Sequence, residues 1–260
     1  MIRLTPLLAV ALLADSTPAL AQRGDFDWRR VIASGKTIEI VGVNGSIDAV
    51  GTSGREVEVE AVKRARRSDP DDVRIEVVEH ADGVTICAVY PSGRNGERNE
   101  CREGGRGRNN TRNNDVEVMW TVKVPAGVRF VGRTVNGEIV ARRLDAEAEV
   151  HTVNGSISVE TSAWASATTV NGSINARMGR ADWRGDAELE TVNGGITVDL
   201  PDSPNLDVDA STVNGSMSTD FPLTIRGKWG PRRMTGTIGQ GGRALVMATV
   251  NGDMMLRRGR

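Results

Sequence analysis

Val-Asn-Gly is written seven times in this chain, at Asn44, Asn136, Asn154, Asn171, Asn193, Asn214 and Asn251, most fully as Thr152-Val153-Asn154-Gly155-Ser156-Ile157. From Asn136 onward the spacings are 18, 17, 22, 21 and 37 residues. The last gap divides at Met234-Thr235-Gly236-Thr237-Ile238, read as a degenerate copy with Thr in the Asn place, into 21 and 16. Six steps then cover 251 − 136 = 115 residues, about 19 each, a period that marks a repeat architecture.

Apolar residues alternate with period 2 on both sides of each Asn-Gly, which is the strand period. Upstream, Val150 shares a face with Thr152 and Leu189 with Thr191; downstream, Ile157 pairs with Val159 and Ile196 with Val198. The two apolar sets are offset by seven residues, as from Val150 to Ile157, Leu189 to Ile196 or Ile40 to Ile47. Seven is odd, so a straight strand would place the sets on opposite faces, and the chain must turn at Asn-Gly. The pairs Asn44-Gly45, Asn136-Gly137, Asn154-Gly155, Asn171-Gly172, Asn193-Gly194, Asn214-Gly215 and Asn251-Gly252 are therefore read as structural turns. Both residue types tolerate the positive φ that such turns usually need.

Two all-β geometries satisfy the odd offset. Asn-Gly is the tip of a two-residue hairpin in a stack or meander of hairpins, or it is the corner of a β-solenoid rung. Identical repeats favour the solenoid, or β-helix, with rungs of about 19 residues, because stacking sets each residue type on its own kind.

Along the chain, residues 1–21 read as a secretory signal peptide. Arg3 supplies the charge, Leu4 to Leu13 the apolar core, and Ala19-Leu20-Ala21 the cleavage site. No Cys follows that site, so a lipid anchor of the usual bacterial type is not expected. Residues 22–260 are expected to form one solenoid domain with no transmembrane segment, placed in the periplasm, outside the cell or on its surface. Export also fixes the reading of the two cysteines, Cys87 and Cys101, as a disulfide rather than a reactive thiol.

The runs Val57-Val59-Ala61, Val73-Ile75-Val77 and Val84-Ile86-Ala88 lack Asn-Gly and read as irregular rungs or a cap. Residues 91–114 then break the pattern with Gly, Asn and Arg. The plain reading of this insertion is a solvated, mobile excursion stapled by the disulfide. The sharper one makes Arg94, Arg98, Arg102, Arg106, Arg108 and Arg112 a contact for anionic glycan, lipopolysaccharide or membrane phosphate. Nucleic acid is not an expected partner, since the insertion has no aromatic residue to stack on bases.

A solenoid enzyme needs paired carboxylates on one face of adjacent rungs. Asp182, Asp186, Glu188, Glu190, Asp199, Asp207, Asp209 and Asp220 fall at different phases of their repeats, so no carboxylate ladder is written. Triad order, zinc spacing, a phosphate loop and a calcium nonapeptide are all missing from the sequence, and no catalytic residue, metal or cofactor is expected. Trp164, Trp183 and Trp229 lie in return segments, where they read as core covers rather than sugar platforms.

The repeated Thr-Val-Asn-Gly-(Ser/Glu/Gly)-Ile, its earlier copy Val43-Asn44-Gly45-Ser46-Ile47, and the lead-in Val122-Lys123-Val124-Pro125-Ala126-Gly127-Val128 resemble the bacterial putative-adhesin family of exported β-helical domains. The likeness covers roughly residues 35–256 and leaves out the Arg-rich insertion. It implies a non-catalytic cell-envelope protein, an adhesin-like binding or structural module whose partner is an envelope glycan or another envelope protein. The alternative is a carbohydrate-active enzyme of the polysaccharide lyase or hydrolase kind.

Overall fold

The computed structural model describes residues 25–92, 98–111, 113–183, 185–227 and 231–259. The expected signal peptide lies outside them, as do Arg94, Arg112 and Trp229. The chain opens with β1 (Phe26–Arg30), β2 (Thr37–Val41), β3 (Ile47–Thr52), β4 (Val57–Arg64), β5 (Arg74–His80), β6 (Gly83–Val89) and β7 (Glu117–Pro125). The repeats supply β8 (Arg129–Arg133), β9 (Ile139–Leu144), β10 (Ala148–His151), β11 (Ile157–Thr161), β12 (Ala165–Thr168), β13 (Ile174–Met178), β14 (Asp186–Glu190) and β15 (Ile196–Leu200). β16 (Leu206–Asn214), β17 (Met217–Thr219), β18 (Thr224–Arg226), β19 (Arg232–Ile238), β20 (Ala244–Asn251) and β21 (Met254–Arg258) complete it.

These strands form two facing sheets, ordered β1-β4-β7-β3-β9-β11-β13-β15-β21-β17 and β18-β19-β16-β20-β14-β12-β10-β8-β2-β6-β5. Each Asn-Gly copy joins a strand of the second sheet to a strand of the first, and successive copies pair in parallel, so the fold is a β-solenoid. The odd offset is met at the corner: Val150 and Ile157 point inward from opposite sheets, and both are fully buried. In-register stacking sets Ile47, Ile139, Ile157, Ile174, Ile196, Met254 and Met217 in one row through the core.

The corner motif divides its work by position. Thr points inward, and its hydroxyl donates to the glycine carbonyl of the neighbouring rung, as from Thr152 to Gly137 at 3.0 Å and Thr169 to Gly155 at 2.9 Å. Val faces out, leaving Val135, Val153, Val170, Val192, Val213 and Val250 exposed. Asn forms an external ladder in which each Nδ2 donates to the next Oδ1 at 2.8–2.9 Å. Glycine is needed for a reason the sequence reading did not state. Of the corner glycines only Gly45 has a left-handed φ, and none of the corner Asn residues does. A Cβ on Gly137, Gly155, Gly172 or Gly194 would instead lie 2.0 Å from the carbonyl oxygen of the glycine one rung away. Close backbone approach, not positive φ, selects the residue.

The order of the last rungs also differs from expectation. Residues 232–238 make no rung: β19 runs antiparallel to β16, with Met234 opposite Ala210, and lacks the Asn-Gly needed for a corner. The C-terminal rung, β20 and β21, enters between the Asn193 and Asn214 rungs instead. The ladder therefore runs Asn44-Asn136-Asn154-Asn171-Asn193-Asn251-Asn214. At the other end β4, β1 and β5 pair antiparallel and cap the stack.

Candidate functional site

β6 and β7 make a rung beside β2 and β3, but at the position of the corner the chain runs out from Tyr90 to Val116. This is the Arg-rich insertion, and its described residues 98–111 are folded back on the outer face of the second sheet. Alternation along β6 explains why. Val84, Ile86 and Ala88 face the core, while Thr85, Cys87 and Val89 face outward and would be wet in an ordinary rung. All three are buried here beneath the insertion. Cys87 is bonded to Cys101, Cα to Cα 5.7 Å, and the pair packs with Val89, Val41 and Val78 in a small second core.

Asparagine side chains stand in for the missing sheet bonds. Asn99 Nδ2 donates to Tyr90 O at 2.9 Å and to Asn110 O at 3.1 Å. Asn109 Nδ2 donates to Ala88 O and its Oδ1 accepts from Tyr90 N. The Tyr90 hydroxyl donates to Val116 O at 2.7 Å and closes the end of the Asn ladder, where Asn44 Nδ2 reaches the same carbonyl. Burial pushes the Tyr90 phenol up to about 12.

Beneath the insertion lies a polar network that no sequence pattern pointed to. Glu39 stands at the outward position between Ile38 and Ile40, with its side chain only 4% exposed. It accepts from Thr85 Oγ1 and Gly104 N, both at 2.8 Å, and pairs with Arg133 Nε at 3.0 Å. Because the Thr85 hydroxyl gives its proton to Glu39, His80 Nε2, 3.2 Å away, is the donor to Thr85 Oγ1. His80 Nδ1 faces the Glu103 carboxylate at 3.5 Å. The order Thr85, His80, Glu103 resembles a hydrolase triad on paper. Thr85, however, is fully buried and bonded on two sides, so no substrate atom can reach it. The network clamps the insertion to the sheet.

Arg133 extends the network to Glu149 at 2.5 Å, which His151 Nε2 also meets at 2.7 Å. The His151 hydrogen bond, then the Arg133 charge, outweigh partial burial and hold the Glu149 carboxyl down at about 2, from an ordinary 4.5. A depressed acid stabilises the fold above its unfolded pKa and loses that contribution as pH falls through the folded one. Glu149→Gln should thus be less stable than the parent at pH 7 by about 1 kcal/mol after solvent screening. Urea midpoints of the two proteins should converge between pH 4.5 and pH 2.

Arg98, Arg102, Arg106 and Arg108 are exposed on the docked insertion. Arg102 pairs with Glu100 at 2.7 Å. Arg98 also borders an open groove of about 480 Å³ that includes Arg74, Asp71, Asp72, Tyr90 and Ser92. Among the other expected residues, Trp183 is buried with Nε1 donating to Ala244 O at 2.8 Å, and Trp164 packs on it with ring centroids 6.4 Å apart. Trp183 thus offers no free face for a sugar, while Trp164 is half-buried as its cover. Glu160 and Asp199 sit on the outer face of the first sheet at either side of Arg177, at 4.0 and 3.3 Å. Among the described residues no three His, Cys, Asp or Glu side chains converge as a metal site, and no helix is long and apolar enough to cross a membrane.

The fold and this site define a β-solenoid module with one elaborated rung. Residues 136–257 match the family model Toastrack DUF4097, a stretch that begins at the second Asn-Gly corner and ends in the C-terminal rung. A crystal structure described as a putative cell adhesion protein from Clostridium sporogenes is similar, with a TM-score of 0.47 and 10% identity, covering 90% of this chain and 99% of that one. Another, described as a putative adhesin from Bacteroides fragilis, gives a TM-score of 0.38 and 10% identity over 90% of this chain and 96% of that one. No curated protein matches the chain.

Proposed function

We propose that this is a non-catalytic, exported cell-envelope module of one solenoid domain, adhesin-like, that holds anionic envelope glycan on its Arg-rich insertion. The solenoid serves as a stiff mount. The observation that carries this reading is the docking of residues 98–111 by a disulfide and a buried carboxylate, with four arginines left on the outer surface. A mobile basic loop loses conformational entropy on binding; a docked one has lost much of it already. The disulfide also favours an oxidising compartment, in keeping with the expected signal peptide.

The test is binding of the mature protein to anionic and neutral envelope glycans at low and high salt. Arg98→Ser, Arg102→Ser and Arg106→Ser are combined in a comparison protein. Binding to the anionic members is expected to weaken with salt and to fall at least tenfold in the variant. Equal binding by both proteins, or release of shortened glycan during incubation, would overturn the proposal.

A further inference from the structure

The C-terminal rung that enters between two earlier rungs separates carboxylates on either side of it. Asp186 and Asp207 lie on opposite sides of Ala244, and Glu188 and Asp209 on opposite sides of Val246. On the other sheet Arg257 lies beside Asp199, and the register of β17 brings Asp220 to its far side, with Asp220 N bonded to Leu256 O at 3.0 Å. If the Asn214 rung stacked directly on the Asn193 rung, as chain order suggests, all three pairs of carboxylates would face each other about 4.8 Å apart. Like charges directly opposite destabilise a sheet. The C-terminal rung supplies Ala, Val and Arg at those points. It also continues the ladder in both directions, through Asn251 to Asn193 at 2.8 Å and Asn214 to Asn251 at 2.9 Å.

We propose that the space between the Asn193 and Asn214 rungs is a strand-acceptor slot, filled by the chain's own C-terminal rung and able to take the same rung from a second copy of the chain. The acidic walls keep the slot from closing on itself, so a rung that leaves it can be replaced by another. The connection from β19 permits this. It is Gly239-Gln240-Gly241-Gly242-Arg243, with three glycines at φ 62, 68 and 100. It is held at its middle by side chains, through Gln240 N to Asn205 Oδ1 and Gly242 N to Asp207 Oδ2, each 2.9 Å, and at its end by Asp207 N to Arg243 O at 2.7 Å. Parallel pairing on both sides of β20 and β21 depends on backbone and Asn amides, which a partner copy provides equally.

Two experiments on the full chain test this. In the first, a protease site is inserted between Gly241 and Gly242, and the folded protein is cut and mixed with excess fluorescent peptide of residues 243–260. The expected result is replacement of the cut rung by the peptide, at least tenfold faster or more completely than by a peptide carrying Val246→Asp and Arg257→Asp. Loss of the cut rung without uptake, or equal uptake of both peptides, would show that the slot closes or does not discriminate, and the proposal would fail. In the second, Gly239 to Gly242 are deleted from the uncut chain, so that Arg243 alone, two Cα steps of about 3.8 Å, cannot carry the rung across β16 to its own slot, about 9.6 Å away. A dimer or larger assembly in light scattering, with unchanged strand content by circular dichroism, is expected. A folded monomer or a chain without strand structure overturns exchange between copies.

Discussion

Gly172→Ala should cost this protein about 3 kcal/mol or more of folding stability, read as a lower urea midpoint. The new Cβ would lie 2.0 Å from Gly155 O, 2.5 Å from Gly155 C and 2.8 Å from Ser156 N. No side chain can swing aside, since all three atoms are backbone. Pushing the two rungs apart would lengthen Gly155 N to Asn171 O, the Asn154–Asn171 amide bond and the Thr169 hydroxyl contact together. The strain does not stop there, because a Cβ at Gly194 would lie just as near Gly172 O on the next rung, so displacement propagates along the stack. Gly195→Ser is the fitting control. That site takes Ser in other copies, at Ser156 and Ser173, and its Cβ would lie 3.0 Å from Asp253 O, a contact that can relax. Its cost should stay within about 1 kcal/mol. Equal effects at the two glycines would refute the close-approach account of the corner.

The second large effect is expected from Cys87→Ser combined with Cys101→Ser. The bond closes a separation of 14 residues, and opening a loop of that size costs on the order of 3 kcal/mol. A local consequence should accompany the global one. Without the bond, the insertion keeps the Gly104 N–H on Glu39, the His80 contact and the Asn99 and Asn109 bonds, none of which closes a covalent loop. Amide exchange should therefore quicken across residues 98–111 before it quickens in β11 or β13. Reduction of the native protein should reproduce the double variant. Uniform acceleration along the whole chain would mean that the insertion and the solenoid unfold as one unit.

Much of the architecture is legible in the chain because stacking rewards identity. The odd offset between Val150 and Ile157 demands a corner, and the recurrence of Thr-Val-Asn-Gly demands neighbours of the same kind. What stays hidden is order. Asn214 and Asn251 carry equivalent corners, and nothing local says which one meets Asn193. In the fold Asp186, Glu188 and Asp199 lie opposite Ala244, Val246 and Arg257, residues far along the chain. The docking of the insertion is hidden for a similar reason. Cys87 and Thr85 look like ordinary outward residues of a strand, and Glu39 like a solvated one, until Gly104 is brought to the carboxylate across 65 positions. Composition marked the insertion as unable to build a core of its own; it could not say that three outward side chains of β6 would share theirs.

The external Asn ladder also governs how the protein ages. Asn-Gly is the dipeptide most prone to deamidation, which proceeds by attack of the glycine nitrogen on the asparagine side-chain carbon with loss of ammonia. At six of the seven copies that nitrogen donates to the Asn carbonyl of the adjoining rung, from Gly45 to Asn136 through to Gly252 to Asn214, and it is held out of reach of its own side chain. Gly215 has no further rung to bond, since β17 ends its sheet. Chemical damage should therefore begin at Asn214, where peptide mass spectrometry of a stored sample would locate it. A carboxylate formed there keeps no amide N–H to give to Asn251 Oδ1, so ageing starts at the open end and loosens the stack rung by rung.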